Sequence, residues 1–177
     1  DAELSREAFV PVNFVALIGV LAEVVEATAQ ADAPILEVDF GDNKAIMVNG
    51  IEDRMGQVLR NLLSNAMSFG PPGTSIRVSA SIVDGWAVLV VEDEGPGMPE
   101  EKREAIFDRF YTARPEGEAF GKHSGLGLSI SRQIVEAHGG TIHGENRYDR
   151  DDEIVGARFV VQLRLVEAVA KPRASRA

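Results

Sequence analysis

The chain contains no cysteine. A disulfide framework, a thiolate zinc site and a cysteine nucleophile are therefore excluded. It also lacks a long apolar run. The longest, Phe14 to Ala22, leads into Glu23 and Glu26 and stops far short of the roughly 20 residues that a membrane-spanning helix needs. The stretch DAELSREAF at the start has neither the basic opening nor the apolar run of a signal peptide. Basic residues are scarce: 18 Lys and Arg face 28 Asp and Glu, for a net charge of −10. Nucleic-acid binders need a basic face for phosphate contacts, so this composition argues against that class. A small anionic ligand stays open if backbone amides, a cation or a few basic side chains hold it. What the chain does have, 177 residues with 45% hydrophobic and 26% charged, suffices for one folded domain. A domain near this size buries roughly 70% of its unfolded surface and needs no covalent staple.

Apolar residues at helical spacing (Val15, Ile18, Leu21, Val24, Val25) predict a helix from Asn13 to about Ala31. Residues 33–40 and 44–49 read as short strands around a Gly-Asp-Asn turn. Glu52 to about Phe69 predicts a second helix, stopped by GPPG at 70–73, because proline cannot continue the backbone bonding. Ser75–Val83 and Trp86–Val91 predict a hairpin across Asp84-Gly85. A short helix is expected over Glu100–Phe107. Residues 110–124 show no period and contain Pro115, Gly117 and Gly121. A long structureless loop in a compact domain is more often a functional lid than filler. Gly125–His138 predicts a third helix, ended by Gly139-Gly140. Thr141–Glu145 and Ala157–Leu165 read as closing strands. Residues 1–9 read as the end of an upstream linker, 10–166 as the domain and 167–177 as a frayed tail. Strands arrive in groups rather than alternating with helices. That order predicts an α+β, two-layer arrangement: a mixed sheet with helices on one face.

Three stretches carry polar residues suited to chemistry. In QVLRNLLSNAMSF, Asn61 and Asn65 lie four apart, so they stack on one side of a helix at the edge of its apolar arc. An amide oxygen is a hard ligand that suits magnesium, which bridges to phosphate oxygens. The alternative is that both amides face solvent or brace a neighbouring loop. In VEDEGPGMP, an apolar strand runs into Asp93 and a turn with Gly95 and Gly97. Glycine lets a ligand approach the backbone closely, and a carboxylate there can accept from an exocyclic amine. A plain strand-ending turn would look the same. In SGLGLSISRQIVEAHGG, Gly125 and Gly127 open a helix whose first amides have no internal partner and form an anion site. A glycine-loosened helix start with no ligand is the alternative.

Together with IFDRFYT at 106–112, these blocks resemble, in order and spacing, the N box, first glycine box, F box and second glycine box of sensor histidine kinase catalytic domains. That family shares a superfamily with DNA gyrase B, Hsp90 and MutL, and the resemblance runs from about residue 10 to 166. It implies a Bergerat-type fold with a flexible ATP lid, ATP and Mg²⁺ as ligands, and phosphoryl transfer to a histidine. Asn65 would coordinate Mg²⁺, with Asn61 supporting the nucleotide and Ser68 and Phe69 beside it. Asp93 would accept the adenine amine, with Gly95, Gly97 and Met98 lining the base pocket. Phe107 and Phe110 would anchor the lid, Phe110 and Tyr111 would be among the ATP-binding residues, and Ser124, Gly125, Leu126, Gly127 and Leu128 belong to the phosphate end. Arg114, Lys122 and His123 are the lid candidates for the γ-phosphate.

Two positions depart from the family pattern. Ser68 stands where a lysine is common, and His123 where a glycine is common; both touch phosphate handling. The position held by Asn61 carries a general-base glutamate in the gyrase branch. An amide has no useful basicity, which predicts a poor ATPase that hands its phosphoryl group elsewhere. The histidines are His123, His138 and His143, and none sits in an acceptor-like helix. The acceptor is therefore expected on a dimerisation domain outside this chain, with a response regulator downstream. The resemblance further implies a monomeric, cytoplasmic domain of a membrane-anchored sensor. Rival readings are a stand-alone anti-sigma-factor-like serine kinase and a non-catalytic nucleotide-binding module.

Overall fold

The computed structural model describes residues 8–111 and 125–166. Seven strands and three α-helices are described: β1 (Val10–Asn13), α1 (Phe14–Thr28), β2 (Ile35–Asp39), β3 (Met47–Gly50), α2 (Glu52–Phe69), β4 (Ser75–Val83), β5 (Trp86–Glu92), α3 (Gly127–Ala137), β6 (Thr141–Tyr148) and β7 (Ile154–Arg164). Five strands form one sheet in the order β2-β4-β5-β7-β6, parallel between β2 and β4 and antiparallel elsewhere. β1 and β3 form a small antiparallel pair at its margin. The helices pack together on one face of the large sheet, with α2 between α1 and α3. The mixed sheet with one helical face is the architecture expected from the sequence.

The elements form for local reasons. Met55, Val58, Leu59, Leu62, Leu63 and Ala66 of α2 are all buried, so the apolar arc seen in the sequence faces the sheet. Glu52 and Asp53 sit in its first turn, where acidic side chains favour the helix dipole. The chain leaves α2 at Gly70, whose N–H still reaches the Ala66 carbonyl (2.8 Å) before the prolines forbid more. Asp84 and Gly85 both take positive φ (50° and 81°), the turn that matches strand twist in a two-residue hairpin.

Four expectations need correction. β1 is an additional strand, short and largely exposed, with a proline and no readable period. Residues 33–40 and 44–49 do not form a hairpin: β2 pairs with β4 and β3 with β1. The short helix over 100–107 is two 3₁₀ turns, Glu100–Lys102 and Ala105–Phe107. β6 and β7 extend beyond the predicted segments to Tyr148 and back to Ile154. The charged stretch at their junction, RYDRDDE, of which only Arg147 and Tyr148 lie in a strand, hides the strand pattern, and pairing with a neighbouring strand supplies what propensity does not. The lid segment 112–124 and the ends 1–7 and 167–177 lie outside the described residues.

Helices α2 and α3 are tied at two places. His138, buried at the end of α3, accepts the Ile51 N–H on Nε2 (3.0 Å) while Nδ1 faces the Ile134 carbonyl (2.7 Å). That pair of bonds requires a neutral ring with its proton on Nδ1. His138 is thus a structural residue that joins the start of α2 to the end of α3. The second tie lies at the site.

Candidate active site

Asn61 donates through Nδ2 to the Gly127 carbonyl (3.0 Å) and to Ser131 Oγ (3.2 Å). The first turn of α3 is therefore pinned against the middle of α2. Asn65, one turn further along, is half-buried, and among the described residues nothing bonds to its side chain. No buried side-chain nitrogen or oxygen of the described residues lacks a partner, so the Asn65 amide is not sealed from solvent. Eight residues beyond Asn61, the Phe69 carbonyl abuts the other glycine turn: a Cβ on Gly95 would lie 2.8 Å from it. Helical rise makes the distance from Asn61 to Phe69 about 12 Å. One helix thus connects the two glycine corners, with Asn65 between them. Ser68 is half-buried on the same last turn.

At the first corner, Asp93 is only 5% exposed. Its Oδ1 accepts from the backbone N–H of Gly95 (2.8 Å) and of Ala157 (3.1 Å). Its own N–H donates to the Ala157 carbonyl (3.0 Å), and its carbonyl accepts from Arg147 Nη1 (2.7 Å). Burial pushes the Asp93 carboxyl above the ordinary aspartate range, although the two amide bonds and the Arg147 charge pull the other way. Gly97 has φ +70°, and a Cβ there would stand 2.5 Å from Ile154 Cγ2. Met98 is buried beside it.

At the second corner, α3 begins without a side-chain cap at Leu126. Its first backbone N–H groups thus have no capping side chain, and they lie at the positive end of the helix dipole. Gly125 takes φ +67°, where a Cβ would strike the Phe110 backbone at 2.8 Å. The Phe110 N–H donates to the Gly125 carbonyl (2.9 Å), so the described residues that flank 112–124 meet. Phe107 is buried under the Arg132 guanidinium (3.9 Å) and edge-on to Phe159. Phe110 differs: it is 73% exposed, and its backbone, at φ +64°, bonds to Gly125. Tyr111 and Leu128 pack partly buried against the core. Arg114, Lys122, His123 and Ser124 lie outside the described residues.

The structure adds residues that sequence reasoning passed over. Asn146 on β6 brackets Met98, and Arg147 and Ala157 hold Asp93. Gly156 lies so close to Asp93 that a Cβ would overlap the Asp93 carbonyl. The strand read from the sequence starts at Ala157, so Gly156 falls outside it and the signal that a strand glycine gives of close approach is missed.

Residues 50–167 match the family described as histidine kinase-, DNA gyrase B-, and HSP90-like ATPases. The chain belongs to this family. Among its relatives, the sensor protein ChvG of Rhizobium meliloti (strain 1021) is 46% identical over 171 residues, covering 92% of this chain and 29% of ChvG. The chain thus spans less than a third of that relative. Among solved structures, the mycobacterial sensor histidine kinase MprB superimposes with a TM-score of 0.74 at 29% identity, covering 89% of this chain and 98% of that one. Full-length ShkA in complex with AMPPNP gives 0.75 at 25% identity, covering 94% of this chain and 34% of that one. The α+β fold is that of histidine kinase catalytic domains, and membership of an ATPase family makes ATP the nucleotide to consider. Among the described residues no helix is long and apolar enough to cross a membrane.

Proposed function

We propose that this chain is the catalytic, ATP-binding domain of a two-component sensor kinase, comprising residues 10–166, and that it transfers the γ-phosphoryl group to a histidine on a helical dimerisation domain outside the chain. One observation carries the reading. A single helix, α2, offers an open amide at Asn65 midway between a buried carboxylate corner and an uncapped helix start. A nucleoside triphosphate has the matching order of groups: an amine-bearing base, a sugar, and a string of anionic oxygens.

Each residue then has one task. Asp93 Oδ1 is occupied by two amides, which orients the carboxylate so that Oδ2 is available to the adenine amine. Gly95, Gly97 and Met98 line the base pocket in this reading, and the two glycines let the turn pack closely against Phe69, Ile154 and Asn146. The α3 amides receive phosphate oxygens. The donor set fits Mg²⁺, a hard cation that takes oxygen ligands and keeps several waters. Asn65 would hold it, and when bound it neutralises charge on the phosphates. Asn61 fixes the α3 start rather than activating water: its Nδ2 is spent on Gly127 and Ser131, and an amide cannot serve as general base. Hydrolysis by the chain alone should therefore be slow. The lid residues Arg114, Lys122 and His123 remain candidates for γ-phosphate contact. In this reading the domain works in the cytoplasm, with a response regulator as the downstream acceptor.

The test is transfer from labelled ATP and Mg²⁺ to a separately supplied histidine-bearing helical domain. Acid-labile label on that domain is the expected result. Acid-stable label would redirect the reading to a serine kinase. No binding of ATP, with or without Mg²⁺, would overturn it.

A further inference from the structure

The base corner is held from one side by α2 and from the other by the end of β6. Asn146 is a buried asparagine in a strand interior, where this residue type is depleted. Its Oδ1 accepts the Met98 N–H (2.8 Å), and its Nδ2 donates to the Met98 carbonyl (2.7 Å) and to Glu100 Oε1 (3.0 Å). The primary amide thereby meets the Met98 backbone as a neighbouring strand's peptide group would. Three of its four bonding positions are filled. Glu100 is held in addition by the Tyr148 hydroxyl. Gly97 packs on the same amide, since a Cβ there would lie 2.6 Å from Asn146 Oδ1.

The next residue holds the other end of the turn. Arg147 donates to the Asp93 carbonyl at 2.7 Å. Just beyond it the β6–β7 register shifts between Arg147 and Tyr148, where β7 carries one residue more, Val155, than β6. Two adjacent residues thus grip the backbone on either side of Glu94–Gly97. Arg147 is partly exposed and has Glu92 (3.7 Å) as a second partner. Asn146 has no such latitude.

We propose that Asn146 is a positioning residue for nucleobase recognition: by clamping both backbone groups of Met98 it sets the spacing between Met98 and the Asp93 carboxylate, without itself binding the nucleotide. Removing the clamp leaves two buried backbone groups of Met98 to find water or move, and the turn relaxes away from Asp93. This rests on the ATP reading above.

The experiment is a double-mutant cycle on the 177-residue chain, with ATP affinity, thermal unfolding and amide exchange at Met98 as readouts. In Asn146→Ala, ATP should bind weaker by on the order of 10-fold, and Met98 exchange should quicken. The further effect of Asp93→Asn should shrink in that background, because a displaced carboxylate has less to lose. Asn146→Ser, which keeps one donor and acceptor, should recover part of both readouts; should the alanine variant not fold, the same comparison is made with the serine variant alone. Unchanged ATP affinity in a folded variant would overturn the inference, as would Met98 exchange at the wild-type rate. Full additivity of Asn146→Ala and Asp93→Asn would reduce Asn146 to a stabilising residue and overturn it too. A wild-type chain that fails to bind ATP would defeat the underlying reading, so the two failures are told apart.

Discussion

The two ends of the site are built on opposite terms. At the base end the groups that shape the turn are already engaged: Asp93 Oδ1 with Gly95 and Ala157, the Asp93 carbonyl with Arg147, and Met98 with Asn146. The corner is packed between α2 and the β6–β7 pair, and its shape exists without a ligand. At the end proposed for phosphate two groups are left open: the Asn65 amide is not sealed from solvent, and α3 starts without a side-chain cap. Base recognition demands shape, which a buried hydrogen-bonded turn supplies. Phosphate binding demands charge complementarity, which open amides and a cation supply. On the proposed reading, a protein with a net charge of −10 would hold a polyanion because local dipoles, not overall charge, would face it.

The contrast can be broken most severely at Asn65. Asn65→Ala should abolish Mg²⁺-dependent phosphoryl transfer while leaving metal-free ATP binding intact, measured by labelled transfer beside a titration in chelator. Loss of both together would mean that the two ends are not separable. Next is Leu62→Ala, in the fully buried arc of the helix shared by both ends. It should lower unfolding free energy by about 2–5 kcal/mol and weaken base and phosphate contacts alike, as read by comparing adenosine with ATP. Asp93→Asn is smaller: it removes a charge-assisted bond of about 1.5–3 kcal/mol, and adenosine and ATP affinities should fall by the same factor. An ATP affinity equal to the wild type's would remove Asp93 from the base pocket.

The finest test is pH. Burial raises the Asp93 carboxyl in the folded state, so on acidification it takes up a proton earlier than an ordinary aspartate of pKa 3.8. Adenine affinity should fall over that window and should not do so in Asp93→Asn. Stability runs the other way. A raised folded pKa means that the native state binds more protons than the unfolded one between the two values, so the Asp93 contribution to stability declines as pH rises from 3.8 through the raised value. Opposite slopes for binding and unfolding would assign the titration to Asp93.

Much of this was legible in the residues. The arc of α2, the Asp84-Gly85 hairpin and the glycine starts of both corners follow from local rules, because periodicity and glycine conformation are properties of a few consecutive positions. The partners of β2 and β3 were not legible, since two short strands across a turn look like a hairpin whether or not they pair. Nor was the rest of the base corner. Asn146 and Arg147 sit in a charged stretch with no motif, and only the fold carries them across to residues 93–98.

The amino-acid order by itself determined which groups exist for the ligand: one carboxylate, two asparagines four apart, and glycines where side chains would collide. Folding decided which of them stay free. Asn61 became a brace and Asn65 stayed open although both belong to one helix face, because the start of α3 lands on the first and leaves the second uncovered. Contacts between distant segments settle that outcome, and no spacing along the chain encodes it.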